Sequence, residues 1–138
     1  MMQTSGTKQI LGFEIWFDQI PKGTAQQKKF GHGYVYESKN VRETRKLYQE
    51  RLQPIAPENP MTGPVNLDIE FDYVIKDKKR KGLWKTTRPD LDNVSKLFID
   101  ELMKCGFFVD DSQIVRLTLS KRFSEDDRAG IRVLISEE

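Results

Sequence analysis

A chain of 138 residues is the size of one domain and long enough to bury a hydrophobic core. One cysteine leaves no internal disulfide, and one histidine leaves Cys/His zinc sites and Ser/His/Asp catalysis short of parts. Acids and bases nearly balance at a net charge of +2, so the placement of charge, rather than its sum, has to point to a partner. The sequence has no signal-peptide pattern and no run of 18 apolar residues, which sets the expectation of a cytoplasmic protein.

Residues 1–8 are polar and are expected to fray. Residues 10–17 carry β-formers in partial alternation and read as a first strand. Residues 20–29 break regular structure with proline, glycine, amides, a hydroxyl and three lysines, Lys28 and Lys29 among them. Such a loop is either a solvated connection or a set of donors for phosphate oxygens. Around His32, two glycines predict a turn with a short extended piece after it. His32 reads as a solvated tip residue more readily than as a metal ligand.

Residues 38–53 show the helical spacing of Val41, Leu47, Tyr48 and Leu52, with Ser38 or Asn40 available as the cap. Residues 54–64 hold four prolines and a glycine and predict a loop. Residues 65–75 alternate, with Val65, Leu67, Ile69, Phe71 and Tyr73 on one side and Asn66, Asp68, Glu70 and Asp72 on the other. That is the pattern of a strand with one face buried and an acidic row left to solvent.

Residues 76–88 are basic: Lys76, Lys78, Lys79, Arg80, Lys81, Lys85 and Arg88 are offset only by Asp77. Trp84 lies among them. A basic segment with an interleaved aromatic suits contact with a phosphate backbone and a stacked or wedged base. A solvated loop is the plainer alternative.

Arg88-Pro89-Asp90-Leu91-Asp92-Asn93-Val94-Ser95-Lys96 follows at once. Pro89 disfavours helix for Arg88, and Val94, Leu97, Phe98, Leu102 and Cys105 then recur three or four apart. The spacing predicts a helix over 91–105, stopped by Gly106, with Asp90 or Asp92 as its N-cap. A helix needs one cap, so the second acid has no local task. Asp110 and Asp111 return just before the next strand. Oxygen-rich, thiol-free acids are what Mg²⁺ or Mn²⁺ takes. Lys96, one turn after Asp92, is either an ordinary surface ion-pair partner or a cation beside a metal-bound phosphate. Cys105 falls on the apolar face and reads as a buried thiol.

Residues 112–123 alternate as a strand, 124–130 form a polar turn, and 131–135 close as a final strand. The order strand, helix, strand, helix, strand, strand predicts a single domain over 1–138. Its class is α+β: two layers, one mixed sheet of about four strands, and two main helices on one face.

These motifs resemble the RusA-type Holliday junction resolvases, small endodeoxyribonucleases common in phages and prophages. The resemblance rests on Pro89-Asp90-Leu91-Asp92-Asn93, Lys96, Gly106-Phe107 and Asp110-Asp111 in register. The loop Thr24-Ala25-Gln26-Gln27-Lys28 is similar to that of many members. The resemblance implies a homodimer that binds a four-way DNA junction and nicks two strands symmetrically with Mg²⁺ or Mn²⁺. Carried over residue by residue, it makes Asp90, Asp92 and Asp111 the metal-binding acids and Lys96 the functional lysine. Asp110 stands beside Asp111 as a further ligand candidate; Asp100 is a candidate support for the ligands, but reads more readily as a solvated surface acid. The basic set Lys28, Lys29, Lys76, Lys78, Lys79, Arg80, Lys81, Trp84, Lys85 and Arg88 is the expected DNA contact. The resemblance therefore predicts a metal-dependent endonuclease for recombination and repair. The contrasting class is a non-catalytic protein that binds branched or single-stranded DNA, its acids serving as caps and ion-pair partners.

Overall fold

The computed structural model describes residues 8–23, 28–31 and 34–138, with the side chains of 28–36 outside the description. The expectations for residues 1–7, for Thr24, Ala25, Gln26, Gln27 and His32, and for the side chains of Lys28 and Lys29 therefore lie outside the described residues.

Among the described residues, six strands and two α-helices follow in order. β1 is Ile10–Phe17, β2 Lys28–Gly31, β3 Tyr34–Glu37, α1 Lys39–Leu52, β4 Val65–Tyr73, α2 Leu91–Lys104, β5 Ile114–Phe123 and β6 Ala129–Glu137. The main sheet runs β1-β6-β4-β5, with β4 and β5 parallel and the other neighbours antiparallel. α2 is thus the crossover that parallel neighbours require. β2 and β3 form a separate two-stranded hairpin, which the sequence had suggested only as a turn and one extended piece.

The alternation read in β4 is the alternation found: Val65, Leu67, Ile69 and Phe71 are fully buried. They meet Ile131, Val133 and Ile135 of β6, Val41, Tyr48 and Leu52 of α1, and Val94, Leu97, Phe98 and Leu102 of α2. Edge-on ring contacts join the layers, Tyr48 to Phe98 at 5.1 Å and Phe71 to Phe98 at 6.0 Å between centroids. The opposite face of the sheet stays open and carries Glu14, Asp68, Arg132 and Leu134. Two layers with both helices on one face are what the sequence predicted.

α1 begins at Ser38, whose Oγ accepts from the Val41 N–H at 3.3 Å. α2 ends at Cys105, and Gly106 follows with φ +91°, the left-handed position that favours glycine. The proline-rich residues 54–64 are tied down rather than loose. Met61 is fully buried, and its N–H donates to the Phe107 carbonyl at 3.0 Å. Gln113 Nε2 donates to the carbonyls of Met61 and Gly63, both at 2.9 Å.

The acidic row of β4 is less uniform than the sequence implied. Asp68 is exposed, but Asp72 is only 3% exposed and its Oδ2 lies 3.1 Å from Arg132 Nε. The reading of a solvated strand face fails there because β6 and β5 bring Arg132 and Arg122 across it.

Candidate active site

The carboxylate-rich end of the molecule is the N-terminus of α2. Asp90 stands at the N-cap position, and its carbonyl accepts from the N–H groups of Asn93 and Val94, both at 3.1 Å. Its side chain makes no capping hydrogen bond. Asp92 sits in the first turn, where the free N–H groups and the helix dipole favour negative charge. In the same turn Asn93 is buried, and its Oδ1 has no hydrogen-bond partner among the described residues.

The approach to this turn, through a cis Arg88–Pro89 bond, is held by two lysines. Lys121 Nζ donates to the carbonyls of Thr87 at 2.5 Å and Pro89 at 2.6 Å. Lys85 Nζ donates to Thr87 Oγ1 at 2.5 Å and to the Arg88 carbonyl at 2.6 Å, over the rings of Tyr73 and Phe123. Burial first, then the charge of Lys121, push the Lys85 ammonium below the usual lysine range. Lys85, expected among the DNA contacts, is thus engaged in fixing the loop. Lys121 was not singled out from sequence. Its partners lie over 30 positions away, and a lysine in an alternating strand carries no mark of such a role.

Free and engaged acids separate cleanly. Among the described residues, Asp90, Asp92, Lys96 and Asp111 are all exposed and make no side-chain hydrogen bond or ion pair. The ordinary Asp92–Lys96 surface pair considered from sequence does not form. The neighbouring acids are all occupied. Asp110 caps the 3₁₀ turn Asp111–Gln113, accepting from the Ser112 N–H at 3.0 Å and from the Ser112 hydroxyl. Those bonds hold its carboxyl below the usual range. Asp100 lies 2.6 Å and Glu101 2.7 Å from Arg45 NH1. Asp100 is therefore part of an ion-paired knot between α1 and α2 and is not simply solvated.

The three acids singled out by sequence do not converge within one chain. Asp90 enters α2 beyond the C-terminal end of β4, whereas Asp111 precedes the N-terminal end of β5. Because β4 and β5 are parallel, those are opposite ends of the sheet. Lys121, which reaches Pro89, stands seven residues past Ile114, a rise of about 23 Å along the strand. Asp111 instead shares a shallow open cavity with Lys96, Ile99 and Val115. Among the described residues no group of three or more His, Cys, Asp or Glu side chains could hold a metal ion within one chain.

The basic segment is partly structured. Asp77 Oδ1 accepts from the Lys79 N–H at 3.0 Å and caps a 3₁₀ turn, Lys78–Arg80. Lys81 pairs with Asp127 at 2.5 Å and Arg80 with Asp77 at 3.7 Å. Lys76, Lys78, Lys79 and Arg88 are exposed and unpaired among the described residues. Trp84 is 60% exposed.

The sequence model of the family Endodeoxyribonuclease RusA matches residues 18–135, and the chain is a member of that family. It is 46% identical over 70 residues to the crossover junction endodeoxyribonuclease rusA of Lactococcus phage r1t, covering 51% of this chain and 53% of that protein. It is 38% identical over 92 residues to the uncharacterized protein YqaN of Bacillus subtilis (strain 168), covering 59% of this chain and 63% of the relative. The chain thus spans a little over half the length of the curated relatives it matches.

Proposed function

We propose that the protein is a Holliday junction resolvase, a divalent-metal-dependent endodeoxyribonuclease that nicks four-way DNA junctions symmetrically as a homodimer. The observation that carries this reading is selective freedom. Among the described residues, Asp90, Asp92, Asp111 and Lys96, the positions that the sequence resemblance picks out, stand without side-chain partners, while Asp100, Glu101 and Asp110 are engaged. Exposed carboxylates with no thiol or imidazole among them are a donor set suited to Mg²⁺ or Mn²⁺. When bound there, such an ion eases loss of a proton from the attacking water and offsets charge on the leaving oxygen.

The chain's own residues have separate tasks. Asp90 and Asp92 offer oxygens from a turn fixed by Lys85 and Lys121. Lys96 brings a positive charge one helical turn away, suited to the charge that builds on the phosphoryl oxygens. Lys76, Lys78, Lys79 and Arg88 are free to meet the DNA backbone, with salt-dependent affinity as the consequence.

Asp111, just before the N-terminal end of β5, lies at the other end of the sheet from Asp90 and Asp92 of its own chain. A two-fold pair of chains solves this if Asp111 of one copy reaches the Asp90–Asp92 turn of the other. It also supplies two sites for two strands.

The test is a nicking assay on a synthetic four-way junction in Mg²⁺, comparing the protein with Asp92→Asn. The expected result is a loss of cleavage of at least about 100-fold with junction binding retained. Junction binding without cleavage in Mg²⁺ or Mn²⁺ by the unaltered protein would instead support a non-catalytic binder.

A further inference from the structure

Trp84 is the most exposed tryptophan position in the described structure, and it is not loosely held. Gly82, with φ +78°, turns the chain so that residues 82–85 lie along the outer side of β5. The Gly82 N–H donates to the Phe123 carbonyl at 2.9 Å and the Phe123 N–H to the Leu83 carbonyl at 2.9 Å. The Lys85 N–H donates to the Lys121 carbonyl at 3.1 Å. Trp84 itself pairs with Arg122 across this short ladder.

The indole rests on a cation. The Arg122 guanidinium lies 4.2 Å from the Trp84 ring centroid, and its NH1 donates to the Gly82 carbonyl at 2.7 Å. Glu70, 3.5 Å from Arg122 Nε, fixes the guanidinium from the sheet side. One face of the ring is thereby occupied and backed by the sheet, and the ring is still 60% exposed. The other tryptophan, Trp16, also meets a guanidinium, that of Arg128 at 3.9 Å, but it packs against the Gly130 position and is only partly exposed. The exposed face of the ring is a flat apolar area whose burial against a stacked ring would be favourable. The exposed, unpaired cations that flank Trp84 in sequence, namely Lys76, Lys78, Lys79 and Arg88, disfavour a cationic partner and favour a polyanion that carries flat rings.

We propose that Trp84 is a stacking platform for one unpaired nucleobase of branched DNA, with Arg122 as the residue that positions the indole. The inference rests on the reading of branched DNA as the substrate and adds that the protein holds a base out of its stack. Aromatic stacking accepts any base, so the platform recognises the absence of pairing rather than a sequence.

The test follows tryptophan emission during titration with a four-way junction, a linear duplex and an oligothymidylate. The full chain carrying Asp92→Asn keeps the DNA uncut, and Trp84→Leu, Trp84→Phe and Arg122→Met are compared in that background. The platform predicts quenching by the junction and the oligothymidylate, little by the duplex, and none with Trp84→Leu. Affinity for the junction and the oligothymidylate falls about ten-fold in Trp84→Leu and is largely kept in Trp84→Phe. Arg122→Met, which keeps the indole but removes its support, falls between. Equal quenching and equal affinity in Trp84→Leu and its parent would overturn the proposal. If the junction is bound no better than the duplex, the resolvase reading fails, and the oligothymidylate arm still decides the fate of the platform.

Discussion

At the scale of single residues, what separates the acids proposed for the site from the structural ones is their partners and not their type. Asp110 and Asp111 are adjacent and both exposed, yet the Asp110 carboxylate is bound to Ser112 while that of Asp111 has no partner among the described residues. Sequence cannot make that distinction, because a cap is recognised only once the turn it closes is known. Asp72 is a second case. Burial, then a hydrogen bond and repulsion from Glu70, raise its carboxyl to about 7, and the guanidiniums of Arg132 and Arg122 do not undo this. The folded chain therefore binds this proton more tightly than the unfolded chain. Its stabilising effect is complete below the ordinary carboxylate range and is lost as pH climbs from about 4 through about 7. Asp72→Asn, which mimics the protonated form, should make stability above pH 7 greater than that of the parent. It should also remove a fall of at most about 1.4 kcal/mol per pH unit between those limits. Urea midpoints for both proteins across pH 4.5 to 8 check this, and parallel curves would contradict it.

At the scale of elements, α1 and α2 are joined by an ion-paired knot. Arg45 donates from Nε to both Glu37 oxygens, at 3.0 and 2.9 Å, and from NH1 to Asp100 and Glu101. Glu101 is fully buried and also accepts from Gln49 Nε2 at 2.8 Å. One guanidinium thus fastens the end of β3 and the helix that carries Asp92 and Lys96. Arg45→Met should cost about 3–5 kcal/mol, because it leaves a buried carboxylate short of its counter-charge. Adding Glu101→Leu should return part of that loss, since an apolar pair replaces the ionic one. Denaturant midpoints of the single and double variants measure both. A single variant as stable as the parent, or a double variant less stable than the single, would contradict the reading.

The elements themselves were mostly legible in the sequence. Periodicity found α1 and α2 within a residue or two, and strict alternation found β4. The sheet order and the Arg45 knot were not legible, since both depend on contacts between residues dozens of positions apart. Val115 and Leu117 followed a strand pattern but are exposed, because β5 ends the sheet and, among the described residues, the segment 82–85 lies beside only its C-terminal end.

At the scale of the whole molecule, the acids and the lysine proposed for the site stood out one by one in the sequence, but their spatial relation was not legible. Reading Asp90, Asp92 and Asp111 as one cluster assumed that nearness in sequence gives nearness in space. The parallel pairing of β4 and β5 sends the chain back along α2 and puts Asp111 at the other end of the sheet. A single chain is therefore incomplete as a metal centre among its described residues, and the proposed function requires a second copy. Symmetry makes that requirement testable without a metal-bound structure. Asp92→Asn and Asp111→Asn chains, co-expressed with different tags, form mixed pairs. If Asp111 serves the partner's turn, each mixed pair holds one site with both alterations and one intact site. The account predicts that the purified mixed pairs nick one strand of a four-way junction at about half the rate of the parent, although each variant alone is inactive. Mixed pairs as inactive as either variant alone would contradict it.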